Sequence, residues 1–107
     1  MSYLSININS LCIPRVFTNI TELQIRKIFE ELELGQIERI DIVPKFYSNG
    51  DQFNRVFIHI QKWFNNQNAI HAQERLSLGM EIKVIYDDPW FWKVSAYKKQ
   101  LKQNKNK

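Results

Sequence analysis

In the segment Phe53–Ile60, FNRVFIHI, apolar and polar side chains alternate without a break. Val56, Ile58 and Ile60 fall on one side of an extended chain, and Arg55, Phe57 and His59 on the other. That period predicts a half-buried strand whose second face carries a cation, a ring and an imidazole. Just before it, PKFYSNGDQ reads as a loop, with Pro44 and the pair Asn49–Gly50 favouring a turn with positive φ. Upstream again, IERIDIV has strand composition, Ile40 and Ile42 facing one way and Arg39 and Asp41 the other.

On the N-terminal side, LCIPRVF is an apolar strand in which Pro14 points to an edge, a bulge or a strand end. NITELQIRKIFEELELG then predicts a helix. Thr21 can cap it with Gln24 as the reciprocal partner, Ile20 and Ile25 are spaced for a hydrophobic staple, and Gly35 can stop it. Ile25, Ile28, Phe29 and Leu32 form one stripe for burial. On the C-terminal side, Trp63 and Phe64 are expected to pack where the next helix begins. NNQNAIHAQERLSLG predicts that helix, with an asparagine cap, Ala69, Ala72, Gln73 and Leu76 near one stripe, and Gly79 beyond its end. MEIKVIY is the last strand, with Ile82, Val84 and Tyr86 on one side. The order is therefore β-α-β-β-α-β. Two helices can cover one face of a four-stranded sheet, which gives a two-layer α/β sandwich with the other face open. Right-handed crossovers place the first and third strands in the middle.

Composition narrows the function classes. A chain of 107 residues with 44% hydrophobic and 13% aromatic content supports one folded domain. The single cysteine, Cys12, excludes an intrachain disulfide framework. No early basic region leads into a long apolar run, so the expected location is inside a cell, in cytoplasm or nucleus. The net charge of +4 is unevenly spread. Six lysines and no acid lie from Lys93 onward, whereas residues 1–92 hold the other nine basic and all eleven acidic residues, a net of −2. Residues 9–97 are expected to form the domain and residues 98–107 a Lys/Asn-rich tail. Such a tail favours polyanions without reading a sequence.

Together these residues resemble an RNA-recognition motif (RRM), across about residues 9–86. LCIPRVFTNITELQIRKIF stands at the family's first strand, loop and first helix, and FNRVFIHI at the longer ribonucleoprotein motif of its third strand. The resemblance implies a ferredoxin-like α+β fold with a four-stranded antiparallel sheet and RNA binding on the open face. In that family three aromatic positions usually stack bases. They fall here at Cys12, Arg55 and Phe57, so only Phe57 keeps a ring, and the family's third-strand glycine falls at Asn54. LCIPRVF, FNRVFIHI and DDPWFWKV also resemble a set of small RRM-like proteins encoded by large DNA viruses. That implies expression in an infected host cell and packaging in the virion.

The nucleic-acid contacts expected on this basis are Arg39, Arg55, Phe57, His59 and Lys83 on the open face, with Arg15, Lys98 and Lys99 on phosphate. The other function class is protein docking or homo-oligomerisation through Trp90, Phe91, Trp92 and Tyr97 in DDPWFWKVSAYKK. Pro89 ends the strand pairing and sets a turn, after which three roles are open to this segment. It can fold back as a lid on its own sheet, dock on another chain, or stack on bases. The first is the leading expectation for at least one tryptophan.

Catalytic chemistry has little support. The three glycines are scattered, and Cys12, His59 and His71 lack a zinc spacing. Asp87 and Asp88 are explained by a turn at Pro89, and His71 by a helix surface. The expectation is a binding module, not an enzyme, with no cofactor and no metal.

Overall fold

The computed structural model describes residues 8–97. In chain order the elements are β1 (Ser10–Val16), α1 (Glu22–Leu32), β2 (Gly35–Phe46), β3 (Gln52–Trp63), α2 (Gln67–Ser77), β4 (Ile82–Asp87) and β5 (Trp90–Ala96). The alternation in FNRVFIHI becomes geometry along β3. Val56, Ile58 and Ile60 are buried, and Arg55, Phe57 and His59 are half-buried on the other face.

Helix α1 starts at the predicted capping box. Thr21 Oγ1 accepts from the Gln24 N–H at 3.2 Å, and Gln24 Oε1 accepts from the Thr21 N–H at 2.8 Å. It buries Ile25 and Phe29, with Ile28 and Leu32 at the margin of the core. The helix ends two residues before Gly35, at Glu33, which takes the left-handed conformation (φ 54°). Gly35 instead opens β2, where a Cβ would stand 2.5 Å from the Lys62 carbonyl oxygen. It permits close approach of two backbones rather than stopping a helix. Helix α2 is capped by Asn66, which accepts from the Ala69 N–H at 2.8 Å. It buries Ala69, Ala72 and Leu76, and Gly79 follows with φ +79°. The Asn66 and Asn68 amides also donate to the Glu33 and Leu32 carbonyls at 2.9 and 3.0 Å, satisfying the open end of α1 from the start of α2. Trp63 donates from Nε1 to the Ile8 carbonyl at 2.6 Å.

The molecule is a two-layer α/β sandwich built on an antiparallel sheet of order β2-β3-β1-β5-β4. The first and third strands lie inside the sheet, as expected, and β5 lies inside it beside them. The sheet has five strands rather than four, because the DDPWFWK segment does not form a lid. It turns at Asp88–Pro89 and returns as β5, a hairpin partner of β4 that lies against β1. Leu11 stands opposite Ala96 and Cys12 opposite Ser95. With every neighbouring pair antiparallel, β4 runs antiparallel to β3, and β5 occupies the place beside β1 expected for the fourth strand.

Trp92 and Val94 point into the helix-covered core, at 3% and 0% exposure. Trp92 lies parallel to Phe29 of α1 (centroids 6.4 Å) and to Tyr86 (4.3 Å). One tryptophan of the segment does pack inside, but beneath the sheet rather than over its open face. Trp92 is accordingly a core residue and not the partner contact expected from sequence. No helix among the described residues is long and apolar enough to cross a membrane.

Candidate nucleic-acid interface

Strand register arranges the uncovered face in rows. Arg39 of β2 pairs with His59 of β3, which pairs with Ser10 of β1. In the next row Asp41, Phe57, Cys12 and Ser95 follow one another across four strands. Beyond them Val43 faces Arg55, and Lys93 faces Lys83. Sequence-predicted Arg39, Arg55, Phe57, His59 and Lys83 are thus brought to one face by alternation in three different strands.

Two rings occupy the middle of that face. Phe57 and Tyr97 stand with centroids 4.8 Å apart at an interplanar angle of 59°. The Tyr97 N–H donates to the Ser10 carbonyl at 2.9 Å, which continues the β1–β5 pairing and holds the tyrosine beside β1. The ring missing at Cys12 is therefore replaced from the adjacent strand. Sequence placed Tyr97 with the partner contacts. Its true neighbourhood follows from β5, since Phe91, Lys93, Ser95 and Tyr97 recur every second residue on the open side.

His59 is held at both ring nitrogens. Nδ1 is 2.8 Å from Ser10 Oγ and Nε2 is 2.8 Å from Asp41 Oδ2. Arg39 Nε donates to both Asp41 oxygens at 3.2 Å. The hydrogen bond from His59, then those from Arg39, hold the Asp41 carboxyl below its ordinary range. Ser10, His59 and Asp41 have the composition of a nucleophile–base–acid relay. The carboxylate is also shared with Arg39. The chain of bonds fixes the imidazole plane. Among the described residues no group of three or more His, Cys, Asp or Glu side chains is placed to hold a metal ion.

Cations flank the rings. Lys83 Nζ sits 4.3 Å from the centre of Phe91, a cation–π contact across β4 and β5. Arg55 has a buried Nε with no acceptor, and among the described residues no carboxylate pairs with Arg55, Lys83 or Lys93. Burial raises the Cys12 thiol above its ordinary range, only partly offset by Arg55. Arg15 stands near the end of β1, over the rings of Tyr47 and Phe53. Trp90, at the hairpin turn, is exposed and meets Phe17 edge-on at 6.2 Å. Lys98 and Lys99 lie outside the described residues.

The geometry defines an open-faced α/β sandwich, coarsely consistent with an RRM-like fold. Compared with known protein families, curated proteins and solved structures, the chain matches none of them.

Proposed function

We propose that this protein is a binding module for single-stranded nucleic acid, with RNA the leading ligand, and that it acts by binding rather than catalysis. The observation that carries the proposal is the Phe57–Tyr97 ring pair in the middle of an uncovered sheet, flanked by Arg55 and Lys93 without carboxylate partners. Unstacked bases find aromatic faces there, and phosphates find cations, which is the division of labour that single-strand binders use. The sequence resemblance to RRM proteins supports the same ligand class. The resemblance to viral RRM-like proteins supports action in an infected cell. Lys98 and Lys99 would add phosphate contacts from beyond the sheet.

Fluorescence anisotropy with short labelled single strands at low salt tests this. Phe57→Ala and Tyr97→Ala should each weaken binding by ~1–3 kcal/mol, the worth of one stacking platform. Both side chains are partly exposed, so the fold should survive. Absence of binding by the intact chain, or binding indifferent to both substitutions, would refute the proposal.

A second reading, docking of another protein or a second copy, is favoured by exposed Phe17, Ile85, Trp90 and Phe91. It predicts that light scattering detects an assembly that Trp90→Ala reduces to a folded monomer.

A further inference from the structure

Where β1 runs out, four aromatic side chains leave the core and face one another across a cleft of about 230 Å³. On one side Phe17 and Trp90 meet edge to face. On the other, Tyr47 and Phe53 at the base of the β2–β3 hairpin have centroids 4.5 Å apart. Arg15 completes the lining, its guanidinium carbon 5.4 Å from the centre of Tyr47 and 5.9 Å from that of Phe53. Among the described residues no carboxylate pairs with Arg15. Phe17 is 58% exposed, Trp90 56% and Tyr47 40%, so core packing does not account for their placement.

We infer that this slot takes one unpaired nucleobase between its aromatic walls, with the attached phosphate on Arg15. Two features select that occupant. The first is the arginine. A proline-rich segment would use the same rings but has no need of an unpaired cation among them, whereas a base and its phosphate use both. The second is continuity with the sheet. A neighbouring cleft of about 480 Å³ shares Arg15, Phe91 and Trp92 with the slot and adds Arg55 and Lys93, against one acid, Glu81. Arg55 is two residues from Phe57 on the same strand face, so a line of cations joins the slot to the central ring pair. Trp92 lines both clefts, and its Nε1–H is buried without an acceptor among the described residues.

This inference rests on the single-strand reading above, and the experiment separates the two. Three probes are titrated against the full-length chain: AMP, an oligoadenylate octamer and a proline-rich peptide. Trp90→Ala and Tyr47→Ala alter the slot, Phe57→Ala alters the sheet face, and thermal melts check that each variant folds. The slot predicts that Trp90→Ala and Tyr47→Ala each lower octamer affinity about 5- to 150-fold. It also predicts that AMP quenches tryptophan fluorescence in the intact chain and in Phe57→Ala, but not in Tyr47→Ala. Octamer binding that depends on Phe57 and ignores Trp90 and Tyr47 overturns the slot and leaves the sheet reading standing. AMP quenching lost with Tyr47, beside octamer binding indifferent to Phe57, supports the slot and removes the sheet reading. Binding of the peptide alone, or of no probe, overturns both.

Discussion

Trp90 and Trp92 stand two residues apart on one strand, yet Trp90 is 56% exposed and Trp92 only 3%. Side chains at i and i+2 share a face, so alternation alone gives both the same environment. Position along the strand separates them. Trp92 lies over α1, parallel to Phe29, whereas Trp90 sits at the hairpin turn and meets Phe17. The neighbouring set, Phe91, Lys93, Ser95 and Tyr97, faces the uncovered side. One short strand and the residue after it thus supply an anchor for the core, a ring for the central pair and a wall for the slot. Strand parity chooses the face. The helix layer then decides which residues of that face are structural.

The sharpest break of this comparison is truncation at both tryptophans. Trp92→Ala should lower the stability of the folded chain by ~3–5 kcal/mol, as expected for loss of a fully buried aromatic side chain. Trp90→Ala should cost no more than about 1 kcal/mol, because most of its surface is already in water. Chemical denaturation of the two variants measures the difference, and equal losses would mean that the turn is as tightly packed as the core.

A smaller effect is expected where β2 meets β3. Gly35→Ala places a methyl against the Lys62 carbonyl and the Ile60 side chain. Since one obstacle is backbone, the strands must shift, at a cost of ~1–3 kcal/mol. A melting temperature equal to that of the parent chain would show that the start of β2 yields freely.

The charged tail and the sheet face can be separated by salt. Ending the chain after Tyr97 removes five lysines: Lys98, Lys99, Lys102, Lys105 and Lys107. Single-strand affinity should then fall less steeply as salt rises, because fewer phosphate contacts release counterions. An unchanged slope would place all of the phosphate contacts on the folded domain.

The smallest effect concerns Cys12. Burial holds its thiol protonated to a higher pH than a free cysteine, so less thiolate is present at neutral pH. Alkylation by iodoacetamide should be slower than for free cysteine and should accelerate only in more alkaline buffer. A rate matching the free amino acid at neutral pH would contradict its half-buried place between Phe57 and Ser95.

Much of this architecture is legible in local patterns. The Thr21–Gln24 box, the stripe through Ile25 and Phe29, and the alternation from Val56 to Ile60 each depend on neighbours in sequence, and each appears where the period puts it. What was not legible depends on pairing between distant strands. WFWKVSA alternates as a strand should, with Trp92, Val94 and Ala96 on one side, but Pro89 also suited a loop leading into a lid. Nothing local says that β5 takes the place beside β1 and leaves β4 at the edge. That exchange brings Tyr97 to Phe57, which no spacing within either strand encodes. The slot was hidden for the same reason, since its walls come from the end of β1, the β2–β3 hairpin and the start of β5. Gly35 shows the limit at the scale of one residue: its position suggested a helix stop, while its function is set by Lys62, across the sheet.

The central claim is that the uncovered face of β1, β3 and β5 receives single-stranded nucleic acid. Backbone amide shifts recorded by NMR while a short single-stranded RNA is added test it most directly. The account predicts that changes concentrate at Cys12, Arg55, Phe57, Lys93 and Tyr97, with the α1 and α2 surfaces unaffected. Changes confined to the two helices, or none at saturating RNA, would contradict it.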